Sequence, residues 1–147
     1  RKEKKTAIRS AIAATINKEI VSVRGHVFEG DLPLIVEDKF EELKKTKEVR
    51  EVLDKLKLLG DITRVKNAKN IKAGKGKMRG RRYRRGKSLL IVASKENGIF
   101  KAARNLPGVD IATPKTLNVE LLAPGTHAGR LTLWTESAIK ALEEAFI

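Results

Sequence analysis

Apolar residues near the start of the chain recur at helical spacing. Ile8, Ala11, Ile12, Thr15 and Ile16 share one face of a predicted helix, with Arg9, Asn17 and the early lysines elsewhere. Gly25, Gly30, Asp31 and Pro33 mark a loop, and Leu34–Val36 is short and apolar enough for a buried strand. From Phe40 to Leu59 the period is helical again, broken at Thr46, with a stripe of Val49, Val52, Leu53, Leu56 and Leu59. Gly60 is expected to end that helix and Asp61 to cap a short turn reaching Lys66.

Beyond Lys87 strand and helix patterns alternate. Leu89–Ala93 is a continuous apolar run, the mark of a strand covered on both faces. Ser94 stands where a helix cap is expected, before a stripe of Ile99, Phe100, Ala103 and Leu106 that Pro107 and Gly108 stop. Val109–Ala112 reads as a strand, Thr116–Leu122 as a short helix, Pro124–Gly129 as a loop and Arg130–Trp134 as a strand. Trp134 there faces opposite to Leu131 and Leu133. Thr135 is expected to cap a last helix whose Ala138, Ile139, Leu142, Ala145 and Phe146 face inward. Such alternation predicts one α/β domain over residues 1–147: a three-layer α/β/α arrangement around a mostly parallel sheet.

Charge adds a feature that the periodicity does not explain. The chain has a net formal charge of +14, and nine of its cations fall within residues 72–87, a glycine-punctuated stretch without an acid. A packed interior cannot hold nine unpaired cations, because each would lose its hydration without a partner. The stretch is therefore expected to be an extended basic loop facing water or a polyanion. Five of the nine are arginines, whose planar fork matches two phosphate oxygens at once. Tyr83 stands between arginine pairs, where it is placed to stack on an unpaired base, an RNA-like rather than duplex-DNA signature. Having little apolar surface, the segment is expected to be poorly ordered in the free protein. A solvated loop or a nuclear-localisation run shares this composition.

Other chemistries find less support. Gly80 to Ser88 approaches a phosphate-binding loop, but one residue too many precedes Gly86-Lys87-Ser88, and a strand pattern follows where a helix is required. Gly74, Gly76 and Gly80 miss the dinucleotide spacing by one residue. Cysteine is absent, His26 and His127 lie far apart, and no serine sits in a nucleophile elbow, so no enzyme, cofactor or metal site is expected. No apolar run reaches the length of a membrane span.

Three stretches together carry a resemblance. Ala7 to Thr15 (AIRSAIAAT), Gly74 to Arg85 (GKGKMRGRRYRR) and Asn118 to Leu131 (NVELLAPGTHAGRL) resemble the archaeal and eukaryotic-type members of the L-four family of large-subunit ribosomal proteins. The resemblance implies a non-catalytic protein of the cytoplasmic large ribosomal subunit that binds its rRNA and supports folding and assembly beside neighbouring ribosomal proteins. No membrane or small-molecule substrate is implied. RNA contacts are then expected at Lys72, Lys75, Lys77, Arg79, Arg81, Arg82, Tyr83, Arg84, Arg85 and Lys87, with Thr126, His127 and Arg130 as a second contact loop. A general basic nucleic-acid-binding protein is the alternative. In the family, strands and a loop lining the peptide exit tunnel precede the segment matching Ala7 to Thr15. This chain opens at Arg1 almost directly in a helix, so it is expected to be part of a longer protein, lacking that loop. Eukaryotic members of the family usually carry a long C-terminal extension, and this chain stops near Phe146, so the archaeal form is expected.

Overall fold

A computed structural model describes residues 2–146, with side chains described through residue 143. Four strands form its main sheet: β1 (Leu34–Val36), β4 (Leu90–Val92), β5 (Asp110–Ala112) and β6 (Thr132–Thr135). Their order is β1-β6-β4-β5 and every pairing is parallel. Leu34 lies opposite Leu133, Ile91 opposite Leu133, and Ile91 opposite Ile111. A second, antiparallel pair joins β2 (Asn70–Ile71) to β3 (Tyr83–Arg84).

Alternation along the strands sends side chains into two cores. Leu89, Ile91, Ala93, Leu131 and Leu133 face one side. There they meet α3 (Thr46–Lys55), α4 (Leu59–Asn67) and α5 (Gly98–Ala103) through Val49, Leu53, Ile62 and Ile99. Leu90, Val92, Ala112 and Trp134 face the other, under α1 (Lys2–Ile16), α6 (Val119–Leu122) and α7 (Glu136–Phe146). Both faces are thus covered, as parallel sheets require, and the expected three-layer α/β/α architecture is present. Trp134 does oppose Leu131 and Leu133. The inward positions expected of Ala145 and Phe146 fall outside the described side chains.

Several element ends differ from the sequence reading, each for a local reason. Helix α3 ends before Gly60, with Leu58 N–H donating to Leu53 O at 2.9 Å and Lys57 N–H to Asp54 O at 2.8 Å. This is a Schellman closure in which Lys57, at φ 56°, takes the left-handed position. The early turn lets Leu58 become fully buried, and Gly60 falls inside α4. Ser94 caps nothing: its N–H and hydroxyl both donate to the Glu41 carboxylate, and Asn97 precedes α5. Thr113 and Thr116 hydrogen-bond each other, so the helix expected from Thr116 starts only after Asn118, whose side chain accepts from Leu121 N–H at 2.8 Å. Thr135 caps α7 as expected, accepting from Ala138 N–H, while it also ends β6.

Candidate nucleic-acid interface

The basic segment is a hairpin rather than a plain extended loop. Asn70 pairs with Arg84 and Ile71 with Tyr83, and Lys72 N–H donates to Arg82 O at 2.9 Å, which closes its base. A single 3-10 turn at Lys75–Lys77 and the Arg81 N–H bond to Gly76 O organise the tip. Lys75, Lys77, Arg79, Arg81, Arg82, Arg84, Arg85 and Lys87 are exposed, and Lys72 is half-buried. The Lys69 ammonium lies 4.0 Å from the centre of the Tyr83 ring, and the Arg82 guanidinium 5.9 Å. Tyr83 therefore sits in a cationic setting with its ring partly open to solvent.

Where the hairpin returns to the domain, a cleft of about 1140 Å³ opens. It brings Arg84, Arg85 and Lys87 together with Thr126 and His127, which are some forty residues away in the chain. The remaining expected contacts, from Lys72 to Tyr83, project along the hairpin outside it. Helix α2 (Lys18–Val23) supplies the opposite wall. It starts at Asn17, whose side chain accepts from Glu19 and Ile20 N–H. It lies tight against the Pro124–Gly129 loop: a Cβ at Gly129 would stand 2.5 Å from Ile20 Cγ2. Arg24, just past this helix, donates to Pro124 O at 2.8 Å and Ala128 O at 3.3 Å.

One buried and one half-buried carboxylate brace the cations of this cleft. Asp61, expected to cap a short turn, lies in the first turn of α4 and is fully buried. It accepts from His26 Nδ1 at 3.1 Å, Ser88 Oγ at 2.5 Å, Val27 N–H at 3.1 Å and Arg64 Nε at 3.0 Å. Burial opposes its ionisation, but the hydrogen bonds from His26 and Ser88 outweigh that and pull its carboxyl down to about 2. An ionised carboxylate only accepts, so the Nδ1 tautomer of His26 carries the proton. Asp110 accepts from Lys87 Nζ at 2.8 Å and Arg130 Nη2 at 2.7 Å, and these partners overcome its desolvation to lower its carboxyl.

Arg130 corrects the sequence reading. Its side chain is fully buried, and it donates to Ser88 O, Leu121 O, Leu89 O, Gly108 O and the Asp110 carboxylate. Fully buried and turned toward five internal acceptors, it is not on the surface that an RNA would meet; it is the tie that joins the starts of β4, β5 and β6. Burial lowers its basicity and Asp110 opposes that loss. Arg24 and Arg64, by contrast, were not distinguishable in the sequence as cleft residues: one follows a short helix and the other sits in an ordinary amphipathic helix.

The cleft lies at the amino ends of the sheet strands, beside Lys87, Asp110 and Arg130. Open α/β sheets more often hold ligands at the carboxyl ends. Here that end is occupied by the protein itself. The Glu41 carboxylate fills it, accepting from Ser94 N–H at 2.6 Å, Ser94 Oγ at 2.9 Å and Thr135 Oγ1 at 2.7 Å. Asp38 takes the start of α7, accepting from Ser137 N–H at 2.9 Å and from the Ser137 hydroxyl. Among the described residues no helix is long and apolar enough to cross a membrane, and no group of three or more His, Asp or Glu is arranged to hold a metal.

Almost the whole of this chain is similar in sequence to known proteins. Over 143 residues the chain is 56% identical to the large ribosomal subunit protein uL4 of Methanothrix thermoacetophila, covering 97% of this chain and 57% of that protein. It is 54% identical to the protein of that name from Archaeoglobus fulgidus, over 98% of this chain and 57% of the relative. For the Methanocaldococcus jannaschii protein the figures are 55%, 99% and 58%. The chain thus spans under two thirds of the length of these curated relatives. Residues 1–145 match the profile of the ribosomal protein L4/L1 family, and the chain belongs to that family.

Proposed function

We propose that the protein is a non-catalytic constituent of the large ribosomal subunit, of the archaeal type and cytoplasmic, which binds large-subunit rRNA and supports its folding. Neighbouring ribosomal proteins are its other partners. Family membership and the archaeal relatives support this reading. The observation that carries it is the placement of the basic hairpin: exposed cations run from its tip down to Arg84, Arg85 and Lys87, and there meet Thr126 and His127 at the cleft. Lys72, Lys75, Lys77, Arg79, Arg81, Arg82, Arg84, Arg85 and Lys87 neutralise phosphates and release counterions, which makes affinity electrostatic. Tyr83 stacks on an exposed base, and RNA shape supplies selectivity.

The test is binding to domain-sized pieces of large-subunit rRNA against shuffled RNA of equal length, across a salt series. The expected result is a preference for one piece that survives moderate salt, with a log–log slope of roughly −4 to −7, for about five to eight phosphate contacts. Changing Arg79, Arg81 and Arg82 together to alanine should make that slope shallower by about 2 to 3. Equal binding of every RNA, and of duplex DNA, would instead mark a general basic nucleic-acid-binding protein.

A further inference from the structure

The cleft has two chemically different walls, and a bare phosphate site needs only one. On the first, Arg64 is held by Asp61 at 2.9 Å and Lys87 by Asp110 at 2.8 Å, yet their side chains keep 35% and 50% of their exposure. Arg24 is fixed by two backbone carbonyls on the far side. These cations are already oriented, so little side-chain entropy is lost when an anion arrives. Burial lowers the basicity of Arg24, and the like charges of Arg130 and Arg64 lower it further. An incoming anion relieves that repulsion.

The other wall is apolar and wet. Val23 is 89% exposed and Ile20 39%, both lining the cleft beside Leu121 and Pro124. Exposed His127 offers a planar ring in the same space. A paired duplex presents phosphates outward and keeps its base faces stacked, so it has nothing to set against Val23 or His127. An unpaired nucleotide has both parts: phosphates for the cations, a base face for the ring and the apolar wall.

We propose that this cleft seats a short single-stranded segment of RNA, its phosphates on Arg24, Arg64 and Lys87 and one unstacked base against His127, Ile20 and Val23. The assignment rests on the rRNA-binding reading; it shares Lys87 with the foot of the hairpin but none of the cations at the hairpin's tip. Glu120 lines the same cleft as an exposed acid and weakens this seat.

The experiment titrates the protein against a single-stranded RNA of about four nucleotides, near the lower limit of single-strand site sizes, with 2-aminopurine at one position. The same sequence locked in a hairpin stem and inorganic tripolyphosphate serve as competitors. Binding should quench the fluorophore, and the stem should compete poorly. His127→Ala should weaken oligonucleotide binding about 5-fold or more, the lower range for losing one stacked base, while leaving tripolyphosphate binding unchanged. Val23→Asp should weaken it by a comparable factor and Glu120→Gln should tighten it. Both Val23 and Glu120 are exposed, so neither change threatens folding. Arg79, Arg81 and Arg82 changed to alanine should lose rRNA affinity but keep the oligonucleotide. If the oligonucleotide binds His127→Ala and Val23→Asp as it binds the parent, or the stem competes equally, the seat does not exist, whatever the rRNA assay shows. If instead the three-arginine variant keeps full rRNA affinity, the hairpin reading falls while the cleft result stands on its own.

Discussion

The Arg130 guanidinium and the Asp110 carboxylate meet at 2.7 Å, with Arg130 fully out of solvent. The pair links the start of β5 to the residues leading into β6, and the same guanidinium reaches carbonyls of Ser88, Leu89, Gly108 and Leu121. Removing Arg130 takes a donor from those four carbonyls and leaves Asp110 with only Lys87 as its ionic partner. Arg130→Met should therefore destabilise the fold by about 3 to 5 kcal/mol, read from urea unfolding, and leave the RNA salt slope of the folded fraction unchanged. A folded, stable variant with a shallower slope would return Arg130 to the RNA surface.

Two glycines in one loop separate backbone strain from crowding. Gly125 has φ 74° with nothing within 4 Å of a built Cβ, whereas Gly129 has φ 83° and would place that Cβ 2.5 Å from Ile20 Cγ2 and 3.0 Å from Ile20 C. Gly125→Ala should cost about 1 to 2 kcal/mol, the left-handed penalty alone. Gly129→Ala adds overpacking of about 1 to 3 kcal/mol and should push α2 away from the loop. Thermal melts of the two variants measure the difference; equal losses would mean the helix yields freely.

What the sequence shows and what it hides divide along physical lines. The strand Leu90–Val92 and the two-sided burial around Trp134 follow from local patterning, because a parallel strand must be apolar on both faces; Leu34–Val36 forms its strand too, but at the sheet edge with Ile35 exposed, not buried as its apolar run suggests. The charge of residues 72–87 is equally local. Arg130 is different: an arginine flanked by glycine and leucine reads as a loop contact until the strands assemble around it. Asp61 is hidden likewise, since its partners His26 and Ser88 come from 35 residues before and 27 after. Arg24 and Arg64 become cleft residues only once α2 packs against the Pro124–Gly129 loop. The early end of α3 rests on Lys57 in a left-handed conformation, where a glycine would have announced it.

Acid should unfold the protein in part through Asp61. Its carboxyl sits at about 2 in the folded chain against about 3.9 when unfolded, so its contribution is fully present above pH 4 and is lost as pH falls toward 2. The shift corresponds to about 2 to 3 kcal/mol. Asp61→Asn removes this dependence and also loses the charged acceptor of Arg64 and Ser88. The expected outcome is lower stability at pH 7 and a flatter profile between pH 4 and 2 in urea titrations. A parent profile that does not fall in that window would exclude the buried, ionised state.

Glu41 provides the matching test at the opposite end of the sheet. Its carboxylate is buried and receives three hydrogen bonds, two from Ser94 and one from Thr135, so it clamps the 3-10 turn at Asp38–Glu42 onto the exits of β4 and β6. Glu41→Ala leaves the Ser94 amide and both hydroxyls without their acceptor and opens a small void. Hydrogen bonds to a charged group contribute about 1.5 to 3 kcal/mol each and are not additive within one cluster, so a loss of about 3 kcal/mol is expected. Glu41→Gln keeps the volume and one acceptor oxygen but turns an amide N–H₂ toward the donors, which should recover only part of that loss. Exchange of the Ser94 amide, measured by NMR, separates this local clamp from global stability. In Glu41→Ala it should speed up more than amides in the centre of β4, because the sheet interior is still covered by α3, α5 and α7. Equal acceleration of both would mean that Glu41 acts on the whole fold and that the carboxyl end of the sheet has no separate closure.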